Sequence, residues 1–120
     1  MFRRVNLTVR AEADIEEILL ASEREFGELA SQRYAGLFTR AIRGLVQADP
    51  SDHEVLGLPE GLFARHLARY RRDDDGRIAV KNPRHYLVFR MRDADVEVLR
   101  VLHDAADLSR LSLDPSDDTR

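Results

Sequence analysis

Apolar and polar positions alternate from Arg4 to Val9, with Val5, Leu7 and Val9 on one side, which is the period of a half-buried strand. At Ala11 the period changes. Ala11, Ile15, Ile18, Leu19, Ser22 and Phe26 form a stripe at helical spacing, and Glu12, Asp14, Glu16 and Glu17 crowd its first turns, where the helix dipole favours negative charge. Thr8 or a neighbour can cap this helix and Gly27 can end it. A second stripe, Ala30, Tyr34, Leu37, Phe38, Ala41, Ile42 and Leu45, runs on until Asp49-Pro50 stops it. Two helices joined at one glycine make a helical hairpin.

The rest of the chain reads as sheet and connections. Ser51 to Gly61 is a loop by its Pro, Gly and acidic content, Leu62 to Tyr70 is a weaker strand, and Asp73-Asp74-Asp75-Gly76 marks a turn before a short strand at Ile78 to Val80. His85 to Met91 is apolar on both sides, as a central strand would be. Asp93-Ala94-Asp95 connects it to a strand from Val96 to Leu102, and the two form an antiparallel hairpin. One helical turn is expected from His103 to Leu111, then a frayed polar tail over residues 114–120. The expectation is an α+β domain over residues 1–113: an N-terminal strand, a helical hairpin, then a C-terminal antiparallel sheet of three to four strands.

Composition narrows the chemistry. A chain of 120 residues suits one domain, and without cysteine it has no disulfide, no thiolate metal site and no sulfur nucleophile. No apolar run approaches the roughly 20 residues that span a bilayer, and the start of the chain carries three arginines without an export pattern, so a cytoplasmic protein is expected. Its single lysine, Lys81, stands beside 18 arginines. The net charge is −3, unevenly spread: residues 62–100 hold 10 basic against 6 acidic side chains and are the only basic stretch. Proteins that grip nucleic acid by its phosphates carry a basic excess, so direct nucleic-acid binding is not expected.

The residues resemble the ParE branch of the ParE/RelE toxin superfamily. Leu7-Thr8 followed by Ala11, Asp14, Ile15 and Ile18 is similar to the family's opening strand and first helix. Arg84-His85-Tyr86-Leu87-Val88-Phe89-Arg90, then Leu99-Arg100-Val101-Leu102-His103, then Asp107, Arg110 and Leu111, follow its later strands and last turn in order. The resemblance covers residues 4 to 111 and is faint between Pro50 and Pro83. It implies the toxin of a type II toxin–antitoxin pair, held inactive in a hetero-oligomeric complex with a ParD-like antitoxin whose C-terminal segment folds onto it. ParE-like members inhibit DNA gyrase; RelE-like members cut mRNA on the ribosome.

Metal-free RNA cleavage needs a base, a cation and an acid, and Lys81, Arg84, His85, Tyr86, Arg100 and His103 are candidates, with Arg84, Arg100 and His103 as the alternative catalytic set. A nuclease docking among ribosomal phosphates would be basic, whereas this chain keeps a charge of −1 even without the tail, which favours the gyrase inhibitor. An inactive member that binds only its antitoxin is a third reading. His103 fits either a general acid or a sheet cap bonded to backbone or Asp107, and the cap is the expected role. His53, His66, His85 and His103 lack ligand spacing, and the Asp73–Gly76 run lacks the spaced ligands of a calcium loop, so neither metal nor cofactor is expected. The basic stretch is expected to meet an acidic antitoxin segment through Arg65, Arg69, Arg84, Phe89 and Arg90.

Overall fold

A computed structural model describes residues 3–48 and 58–106. Strand β1 (Arg4–Leu7) leads into helix α1 (Val9–Phe26) and helix α2 (Glu28–Gly44); strands β2 (Phe63–His66), β3 (His85–Arg92) and β4 (Asp95–His103) follow. The four strands form one sheet in the order β1-β4-β3-β2. The three C-terminal strands run antiparallel, as expected, but β1 lies parallel beside β4, pairing Arg4 with Asp95 through Leu7 with Val98. The sheet is therefore mixed.

Thr8 makes the change from strand to helix. Its hydroxyl oxygen accepts from Ala11 N–H at 3.1 Å as the N-cap, and the same hydroxyl donates to Leu99 O at 3.0 Å, tying the start of α1 to β4. The helices meet at Gly27, whose backbone (φ 93°, ψ 169°) lies in a region open almost only to glycine. α2 ends at Gly44 and tightens into a 3-10 turn, Leu45–Gln47. A methyl group on Gly44 would meet Tyr70 Cε1 at 2.6 Å, so this helix end must be bare for Tyr70 to pack.

The helical hairpin covers one sheet face. Ala11, Leu37, Phe38, Ala41 and Leu45 interlock there with Leu87, Phe89, Val96, Val98 and Val101. Alternation turns Tyr86, Val88 and Arg90 to the opposite face. There Val88 and Leu99 are buried in a second cluster with Leu62 and Leu102. A bulge at Val88/Phe89 shifts the β3–β4 register and places Leu99 in that second cluster.

Two local expectations change. Only Phe63–His66 of the Leu62–Tyr70 run is strand; Leu67–Tyr70 is a 3-10 turn capped by His66, whose Nδ1 accepts from Ala68 N–H at 3.0 Å. Ile78 makes one isolated bridge to Arg72 instead of a strand, because the Asp73 carboxylate holds Asp75 N–H and Arg77 N–H in a tight turn. After His103 the described chain makes a turn through Ala106. The Asp49-Pro50 stop, most of the 51–61 loop, the turn to Leu111 and the polar tail lie outside the described residues. Among the described residues no helix is long and apolar enough to cross a membrane.

Candidate functional site

The polar side chains of the motif stretches gather at two places. The first is the edge of β4 that β1 leaves open. β1 stops pairing at Val98, so the N–H of Val101 needs another acceptor. Asp14, one helical turn and a half into α1, supplies it: its Oδ2 accepts from Val101 N–H at 2.9 Å and from Arg100 Nε at 2.8 Å, while Oδ1 accepts from Arg100 Nη2 at 3.3 Å. Arg10 adds a looser contact at 3.6 Å. The Ala-x-x-Asp helix motif and the Arg-Val-Leu-His strand motif are thus halves of one brace. Arg100 is spent on it.

The second place is the end of the sheet under the Gly27 half of the helical hairpin. β3 and β4 bring His85 opposite His103, with their rings 5.4 Å apart and edge to face. Tyr34 reaches down from α2: its oxygen lies 2.7 Å from His85 Nδ1 and accepts from Arg84 N–H at 3.1 Å. With Tyr34 donating to Nδ1, the single proton of a neutral imidazole belongs on His85 Nε2, a tautomer assigned from these partners. Burial, helped by the charges near His103, His66 and Arg84, lowers the His85 pKa from 6.5 to about 4. Burial likewise raises Tyr34, so both groups are neutral at ordinary pH.

Beside them Arg84 forks onto Asp104, with Nε at 3.1 Å and Nη2 at 2.9 Å, and His66 Nε2 donates to the same carboxylate at 3.1 Å. The His66 hydrogen bond and then Arg84 hold the Asp104 carboxyl below the usual carboxylate range. His103 is half-exposed and its Nδ1 accepts from Ala105 N–H at 3.0 Å, closing the turn after β4. The backbone cap is therefore present; Asp107 lies outside the described residues.

An open cleft of about 670 Å³ runs from this cluster along the hairpin. Ile18, Phe26, Ala30 and Val80 supply apolar surface, and Arg33, Arg84, His85 and His103 supply donors.

The structure distributes the sequence candidates unevenly. Arg84, His85 and His103 come together; Arg100 faces Asp14, and Lys81 is exposed on the loop before β3. Tyr86 packs edge-on against His66 at 4.8 Å. Of the expected antitoxin contacts, Phe89 is wholly buried, stacked on Phe63 at 5.8 Å under the helices. Arg65 is 5% exposed, donating to Tyr70 Oη at 2.7 Å and Gly44 O at 3.3 Å. Neither presents its side chain to a partner; β3 carries Phe89 as core and β2 carries Arg65 as a brace. Arg69 and Arg84 are exposed, and Arg90 lies on the helix-free face, 3.2 Å from Glu97.

Tyr34, Asp14 and Asp104 escaped the reading from sequence. The first two sit in helical stripes where they count as core and first-turn residues. Only the pairing of motif ends in space reveals them. Among the described residues no three His, Asp or Glu side chains are grouped to hold a metal ion.

The family described as the ParE toxin of the type II toxin–antitoxin system parDE matches residues 5–108. A solved chain of the chromosomal ParDE TA system from P. aeruginosa superposes with a TM-score of 0.65 at 13% identity, over 85% of this chain and 96% of that one. At that identity the likeness is one of fold. No curated protein matches the sequence.

Proposed function

Because the chain belongs to the ParE toxin family of type II toxin–antitoxin systems, we propose that it acts in the cytoplasm by protein contact, inhibiting DNA gyrase until a ParD-like antitoxin neutralises it. The observation that carries this reading is the commitment of the alternative nuclease set. Arg100 is bound bidentately to Asp14, Arg84 is forked onto Asp104, and His103 Nδ1 is occupied by Ala105 N–H. A cation already paired with a buried or half-buried carboxylate has little left to offer a transition-state phosphate. The net charge of −3 adds repulsion from ribosomal phosphates.

The antitoxin contact is placed at the basic side chains that reach the surface, Arg69, Arg84 and Arg90, with Arg65 and Phe89 acting from beneath as support. An acidic antitoxin segment would be steered there and held by pairs of modest individual worth.

The test sets purified toxin against gyrase in a supercoiling assay and, in parallel, against translated mRNA on ribosomes. Supercoiling should stop and the mRNA stay whole. Ribosome-dependent cleavage that disappears in His103→Ala, with gyrase unaffected, would reverse the assignment.

A further inference from the structure

The cleft at the Gly27 end of the hairpin is lined by polar groups with one bias: almost all of them give hydrogen bonds. His85 accepts at Nδ1 from Tyr34 and His103 accepts at Nδ1 from Ala105 N–H, so each neutral ring carries its proton on Nε2. Both rings line the cleft, side by side. Arg33 lines it from α2 and is exposed, with neither a hydrogen bond nor an ion pair among the described residues. Asp104, the carboxylate nearest the rings, is already engaged by Arg84 and His66. Among the described residues Glu25 is the one carboxylate that lines the cleft.

The rest of the lining is apolar. Ile18, Ala21, Ala30 and Val80 lie between the helices and the 79–84 segment, and the Phe26 ring, 69% exposed, stands at the mouth. An exposed aromatic face over an apolar floor suits a flat ring, and convergent N–H donors suit a phosphate. The volume falls within the roughly 300–1,000 Å³ of small-molecule sites.

We propose that this cleft binds a mononucleotide-type ligand, its phosphate held by Arg33 and the Nε2–H groups of His85 and His103, its base lying on the apolar floor beside Phe26. The proposal does not rest on the gyrase reading: it shares His103 with the alternative nuclease set, but the atom committed there is Nδ1 and the phosphate would meet Nε2. The burial that keeps His85 neutral makes its Nε2 a donor without the desolvation cost of a buried cation.

The full-length protein, labelled for histidine carbon resonances, is titrated with adenosine 5′-monophosphate, with inorganic phosphate and with adenosine. The monophosphate should shift the His85 and His103 resonances saturably, with adenosine and inorganic phosphate each weaker by on the order of tenfold, or about 1.4 kcal/mol. Arg33→Ala should weaken the monophosphate on the order of tenfold and Glu25→Gln should tighten it, since one removes an attraction and the other a repulsion. Both positions are exposed, and a thermal melt confirms that the variants fold. No saturable shift in the wild-type protein would overturn the proposal. So would adenosine binding as tightly as its phosphate, or affinities indifferent to both substitutions.

Discussion

At the scale of single residues, the buried charges are structural braces. Asp14 satisfies a backbone N–H and a guanidinium at once, at a side-chain exposure of 9%. Asp14→Ala leaves Arg100 and Val101 N–H without their acceptor and should cost about 3 kcal/mol, read as a lowered urea midpoint. Asp14→Asn keeps an acceptor for Val101 and should cost less. His85 makes a prediction in pH. Its folded pKa, about 4, lies below the unfolded 6.5, so the unfolded chain takes up a proton that the folded chain refuses. Stability should therefore fall as pH drops from 6.5 to about 4. The depressed Asp104 carboxyl adds a further loss only below the usual carboxylate range. Denaturant midpoints measured against pH check this, and His85→Gln should flatten the curve between the two values.

Elements were legible where one local rule decided them. Helical spacing and an acidic first turn announced α1, and Thr8 caps it where the pattern breaks. Gly27 was read as the junction, and its backbone explains why. Any side chain there meets the strain of φ 93°, although no atom stands within 4 Å to clash with it. Gly27→Ala should cost on the order of 1–3 kcal/mol through backbone strain alone, visible as a lower melting temperature with an unchanged circular-dichroism spectrum. The β3–β4 hairpin was equally plain, since Asp93 can take the positive φ (55°) that a two-residue turn requires. β2 was half misread. Its arginines were expected at the antitoxin contact, whereas Arg65 is turned into the molecule against Tyr70 and the end of α2. Period and composition carry no mark of that inward turn.

For the whole molecule, charge distribution governs association. The helical half is acidic and the 62–100 stretch basic, and the proposed antitoxin contact rests on the basic stretch. Exposed Arg69 is the cleanest probe of that contact. Arg69→Glu should weaken antitoxin binding about 3- to 30-fold at low salt and flatten its dependence on ionic strength, as calorimetry at several salt concentrations would measure. Unchanged affinity and salt dependence would move the contact elsewhere. Arg65→Glu is no companion test, because it buries a carboxylate beside Gly44 O and Tyr70 and would report on folding.

The sequence by itself determined the elements, the family and the class of protein. Those depend on spacing, caps and turn residues, which act over a few positions at a time. The parallel seat of β1 beside β4, the Asp14–Arg100–Val101 brace, the burial of Arg65 and Phe89, and the meeting of Tyr34, His85 and His103 over one cleft were decided only by tertiary structure. Each joins groups far apart in the chain, from His85 with His103 to Arg4 with Asp95, or depends on which face of the sheet the hairpin covers. A local pattern can specify that a residue is polar and where its element begins, but not which distant carboxylate, ring or strand edge will be there to receive it.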